Sequence, residues 1–249
     1  MLVQRYVSAD LTHFVGGSIK GERKRYLLLR KILRTGVLKA HPMPARPDSA
    51  VHVLRKDTGL ALSTNEACTG SVVCFCDIPL SDLPLHMLKY SPFGLAFSKD
   101  FLADLGAAPV IYVPVHGRPA LLPYEGYRRG RVASQAVAFD HFWKLFNRVE
   151  KSLPNLKSDR QISKTAEDLR RMMQFLEIHI ISNLKFFDHR LLDDENENFY
   201  MEREWRVGRN VSFSLSEVQR IIVPWKYGRE LRHDCPKFDG EIMFSDMPH

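Results

Sequence analysis

No stretch of this 249-residue chain approaches the roughly 18 uninterrupted apolar residues of a membrane-spanning helix. Residues Met1 to Tyr6 carry neither the apolar core nor the small-residue cleavage site of a secretory leader. Cysteine is scarce: of four, Cys74 and Cys76 stand two apart while Cys68 and Cys235 are distant, which is too sparse for a disulfide scaffold. No second Cys/His pair occurs at zinc-ligand spacing, so no metal site is expected. Gly16 to Lys20 lacks the Gly-Lys-Ser/Thr ending of a phosphate-binding loop. Helix-turn-helix, zinc-finger and RNP-type patterns are missing too. These absences lead us to expect a cytoplasmic protein with buried, reduced thiols and no membrane partner.

What is present suits a globular fold. Hydrophobic residues make up 45% and charged residues 26%, enough to bury a core at this length. The net charge is +7, and the cations gather in Lys20 to Arg34, Arg118 to Arg131 and Arg203 to Arg232. Such a balance attracts polyanions, so nucleic acid held on a basic surface is one expected partner; an unspecific solvated surface is the plainer alternative.

The periodicity predicts a helix over 22–35, with Tyr26, Leu29, Ile32 and Leu33 on one face and Gly36 as its C-cap. Strands are expected at 2–12, 51–54, 71–77, 94–97, 109–114 and 216–224. Ser81 reads as the N-cap of a short helix through Lys89, on which His86 and Tyr90 share a face. A second short helix is expected over 99–105. Residues 132–153 and 163–187 read as helices, the second opened by a Thr165 to Asp168 capping box and striped by Leu169, Met172, Met173, Leu176, Ile180 and Leu184. Strands and helices without regular βα alternation argue for α+β rather than a doubly wound sheet. We expect one α+β domain over 1–249, with the helical block 132–187 inserted into it.

The candidate site comes from Tyr200 to Arg206. Read as a strand, this segment places Phe199, Met201, Trp205 and Val207 on one face and Tyr200, Glu202, Glu204 and Arg206 on the other. Two carboxylates then stand about 7 Å apart beside an arginine. That arrangement suits a cationic or electron-poor group. A solvated sheet face, or an ion pair between Glu204 and Arg206, explains the same residues.

Several segments in order carry a family resemblance: His13-Phe-Val-Gly16, Ile32 to Leu38, Cys74 to Pro79, His86 to Lys99 with Tyr90 and Gly94, Pro109 to Tyr112, and Glu202 to Arg206. This set resembles the AbiGi family, the first component of the AbiG abortive-infection system of bacteria. The family is described as the antitoxin side of a two-gene system whose partner resembles a nucleotidyltransferase toxin. The resemblance implies a bacterial phage-defence role, exerted through a cognate toxin or nucleic acid. A wider similarity, to ADP-ribosyltransferase-like domains, implies a mixed, largely antiparallel split sheet with flanking helices. It also implies a site of a His on an early strand, a Ser/Thr or Tyr on a middle strand and a Glu on a late one. His13, Tyr90 and Glu202/Glu204 occupy that order, although no Ser-Thr-Ser triplet follows a middle strand. On that likeness NAD is the implied cofactor. Glu204 would stabilise positive charge on the ribose and Glu202 would orient the acceptor, as carboxylates do in glycoside hydrolysis. His13, Tyr90, His86 and Arg206 would then surround the cofactor.

Overall fold

The structure is a computed structural model that describes residues 8–41, 54–117, 134–155, 160–192, 194–195 and 197–247. In chain order its strands are β1 (Asp10–Phe14), β2 (Val37–Leu38), β3 (Leu54–Lys56), β4 (Cys68–Gly70), β5 (Val73–Cys76), β6 (Gly94–Ser98), β7 (Ala108–Pro109), β8 (Ile111–Pro114), β9 (Leu184–Phe187), β10 (Glu204–Val207), β11 (Val211–Ser212), β12 (Val218–Val223) and β13 (Glu241–Phe244). The helices are α1 (Glu22–Thr35), α2 (Leu83–Lys89), α3 (Lys99–Asp104), α4 (Gln135–Ser152), α5 (Arg160–Phe175) and α6 (Gly228–Asp234). This is a mixed α+β fold with a largely antiparallel sheet and flanking helices. Two compact units share the chain: Met1–Val51, Ser71–Pro109 and Met201–His249 form the first, His52–Gly70 and Val110–Tyr200 the second.

The first unit is built on a seven-stranded sheet ordered β13-β12-β6-β1-β5-β10-β7. Its pairings are antiparallel except β12 with β13. The apolar run forms β5, in which Val73, Phe75 and Cys76 are buried in the cores on the two sides of the sheet while Cys74 is exposed, so of the thiols expected to be buried only Cys76 is fully so. One face carries Leu11, Phe75, Leu95, Phe97, Ile221 and Val223 beneath Tyr26, Leu29 and Leu33 of α1. The other presents Phe14, Cys76, Ile222 and Met243 to Leu83 and Met87 of α2. Helix α1 has the bounds its periodicity predicts. Gly36 ends it in the left-handed region at φ 61°, donating its N–H to the Ile32 carbonyl at 2.8 Å.

The second unit packs α4 and α5 with two small sheets, β3-β4 and β8-β9. Its core holds Trp143, Phe146, Met173, Ile181 and Phe186. The helical reading of 163–187 overshoots. Helix α5 gives way to a π-turn at Leu176–Ile180, and Leu184 to Phe187 are the strand β9 alongside β8. The Leu-Lys-Phe-Phe sequence fits either state, and pairing with Ile111 to Pro114 decides it. Thr165 lies within α5 rather than at its start, and Met172 is 62% exposed instead of part of the core stripe. The stretch expected to form one strand over 109–114 is two. Pro109 ends β7 beside β10, while Ile111 opens β8 beside β9 in the other unit.

Candidate functional site

The segment from Tyr200 to Arg206 is not one strand. Tyr200–Glu202 form a 3-10 turn, Arg203 takes a left-handed backbone at φ 44°, and only Glu204–Val207 enter the sheet. A non-glycine residue at positive φ is uncommon, and here the Arg203 carbonyl accepts the Asp77 amide at 3.2 Å. The kink takes Glu202 off the strand, so the two carboxylates are not set by a simple two-residue rise.

Glu204 is 5% exposed and stands level with Cys76 of β5, which in turn stands level with Thr12 of β1. Its carboxylate takes a forked grip from Arg206, with Nε to Oε1 at 2.7 Å and Nη2 to Oε2 at 3.1 Å. Alternation places both side chains on the same strand face, which is what lets the fork close. Glu202 accepts the Tyr90 hydroxyl and lies 3.5 Å from the Lys89 ammonium. Tyr90 also packs against Phe14 at a ring separation of 5.9 Å. Burial, followed by the charge of and hydrogen bond to Glu202 and by the charge of Glu204, raises the Tyr90 phenol far above its usual value. Burial and the nearby Glu202 charge likewise raise the Cys76 thiol, whose Sγ donates to the Thr12 carbonyl at 3.4 Å. That thiol is no nucleophile.

His86 is 2% exposed, with Nε2 at 3.2 Å from the Met201 carbonyl and Nδ1 at 3.4 Å from that of Asp82. Burial lowers its basicity against the pull of the two carbonyls. It fastens α2 to the turn that carries Glu202. His13 lies elsewhere. Thr12 shares a face with Cys76 and Glu204, so the next residue of β1 projects from the opposite face, where its ring lies 5.7 Å from that of Phe75. Its Nδ1 is 2.8 Å from the Cys74 carbonyl, and burial lowers its basicity.

Of the sequence-predicted residues, then, Tyr90, His86, Glu202, Glu204 and Arg206 gather about one face of the sheet and His13 does not. Lys89, Phe14 and Cys76 belong to the same cluster and were missed. In the sequence Lys89 only closes a short helix and Cys76 is a thiol expected to be buried, and nothing there marks Phe14. The pairing of β5 with β10 sets Cys76 level with Glu204, while packing of α2 brings Lys89 to Glu202 and Tyr90 onto Phe14. Among the described residues no three His, Cys, Asp or Glu side chains form a group that could hold a metal ion. The arrangement fixes the Glu204 carboxylate in the grip of Arg206 and sets the Tyr90 hydroxyl as a donor to Glu202.

No curated protein and no solved structure matches this chain. Residues 53–226 match the family described as "Putative abortive phage resistance protein AbiGi, antitoxin". That span is well over half of the chain and includes α2, both carboxylates and Arg206, and on it the protein belongs to the AbiGi family.

Proposed function

We propose that the protein is the antitoxin-type component of a two-gene phage-defence system and restrains a toxin partner by binding it. The family match over 53–226 carries this reading. The site geometry supports it. Glu204 is already engaged by Arg206, and Glu202 by Tyr90 and Lys89. Charged groups satisfied within the fold suit a scaffold for binding better than a site awaiting a substrate cation. The test is co-expression with the toxin gene that neighbours this one. Growth should be restored and the two proteins should co-purify. The absence of both rescue and co-purification overturns the reading.

A second reading, ADP-ribosyl transfer from NAD with Glu204 stabilising the ribose cation, draws on one observation. Strands β1, β5 and β10 lie side by side, with Thr12, Cys76 and Glu204 in register across them. Against it stand the projection of His13 from the other face and the fork that occupies Glu204. Calorimetry with NAD and an assay of nicotinamide release decide it. Silence in both ends the enzymatic reading.

A further inference from the structure

Helix α1 holds an unusual share of the chain's charge. Arg23, Lys24, Arg30, Lys31 and Arg34 are all exposed, and at 3.6 residues per turn they fall within about 120° of arc. Tyr26, Leu29 and Leu33 hold the opposite face in the core. Helix α6 and the turn before it lie along the first turns of α1. Lys226 meets Glu22 at 2.8 Å, Arg23 pairs with Glu230, the Tyr26 hydroxyl donates to Asp234 at 2.8 Å, and Arg30 lies 3.6 Å from Asp234. Helix α6 adds the exposed cations Arg229 and Arg232, and Lys237 follows just beyond it, two residues before the exposed Asp239.

The ion pairs consume the carboxylates of the two helices. Glu22, Glu230 and Asp234 are spent on Lys226, Arg23 and Arg30. Lys24, Lys31, Arg34, Arg229, Arg232 and Lys237 remain, and none has a carboxylate partner among the described residues. Packing does not call for this excess, since cations set side by side repel and the helix would be as well covered by mixed charge. Both helices also lie outside residues 53–226, so the family match assigns nothing to them.

We infer that the α1–α6 face is a docking surface for the phosphate backbone of duplex nucleic acid. The fourteen residues of α1 extend about 21 Å, long enough to follow several successive phosphates. Apolar anchors are few along the cationic arc of α1. Leu27, 39% exposed, is the large apolar side chain on the exposed arc of α1, and Trp225, 57% exposed, stands in the turn before α6 with its ring edge-on to Phe244 at 4.7 Å. A protein partner would want a desolvated aromatic or aliphatic centre, and an anionic membrane an insertable apolar stripe. Arginine and lysine side chains spaced along a helix with little else between them suit sugar-phosphate contacts, which position a duplex without reading its sequence.

The inference goes beyond toxin binding and is tested apart from it. The full-length protein is titrated onto a fluorescent 20-base-pair DNA duplex of arbitrary sequence, followed by anisotropy between 50 and 200 mM salt. With six phosphate contacts the log–log salt slope is about −5, and affinity falls about a thousandfold across that range. Lys24→Gln with Lys31→Gln and Arg34→Gln should reduce the slope by about 3. A control with Lys144→Gln, Lys151→Gln and Lys164→Gln, exposed lysines of the second unit, removes the same charge and should bind as the unaltered protein does. Three results overturn the inference: no binding at 50 mM salt, equal losses in the two triple variants, or binding to phosphatidylserine vesicles without binding to the duplex. Toxin rescue by growth is a separate readout, so failure here leaves the antitoxin reading standing.

Discussion

Breaking the Glu204–Arg206 fork should destabilise the first unit, and the structure sets the scale. Glu204 is 5% exposed and the Arg206 side chain 14%, so each charge has little access to water when its partner goes. Removing one partner of a fully buried pair costs about 3–5 kcal/mol. Glu204→Gln keeps one acceptor oxygen but turns an amide toward the guanidinium, losing the charge and one of the two hydrogen bonds at 2.7 and 3.1 Å. A hydrogen bond to a charged group contributes about 1.5–3 kcal/mol, and the residual exposure of Arg206 lets some water in, so a loss of about 2 kcal/mol is expected. Arg206→Gln should cost about as much, because it takes both hydrogen bonds of the fork from the Glu204 carboxylate. The double variant should then be less damaged than the sum of the two, with a coupling energy of about 1–2 kcal/mol. Urea unfolding followed by tryptophan fluorescence reads this as a midpoint lowered by about 1 M in each single variant at unchanged slope. Should both single variants unfold within about 0.5 kcal/mol of the unaltered protein, with no coupling, the fork contributes nothing and the reasoning fails.

Two further perturbations test the frame around the site. His86 and His13 are both held less basic in the fold than in the unfolded chain, so below about pH 6.5 the unfolded state binds protons that the native state refuses. Stability should therefore fall as pH drops from about 7 toward 5, by at most ~1.4 kcal/mol per pH unit for each histidine. Asp10, raised mainly by burial, works in the opposite direction, so the slope is best read above the carboxylate range. His86→Gln should flatten the dependence, and an unchanged slope would place the proton uptake elsewhere. Gly36→Ala puts a β-carbon 2.3 Å from the Phe213 carbonyl at a φ of 61°. A loss of about 2 kcal/mol or more in urea is expected, and a neutral outcome would mean the α1 C-terminus is not closed as described.

By itself the sequence determined the locally encoded parts. Periodicity and a terminal glycine fix α1 to the residue, and an apolar run locates β5 within 71–77, though Cys74 in it is exposed, because a helix face or a short apolar strand is written in neighbouring residues. The ordered motifs also sufficed for the family. Tertiary structure decided what depends on partners distant in the chain. Leu184 to Phe187 are a strand because β8 lies alongside, and the expected strand over 109–114 divides because its halves pair in different sheets. At the site, alternation along β10 correctly puts Glu204 and Arg206 on one face. The left-handed turn at Arg203 then removes Glu202 from the strand and brings it to Tyr90 and Lys89. His13 has the right place in the sequence order, yet the register of β1 against β5 turns it to the other face, since a single residue along a strand reverses a side chain.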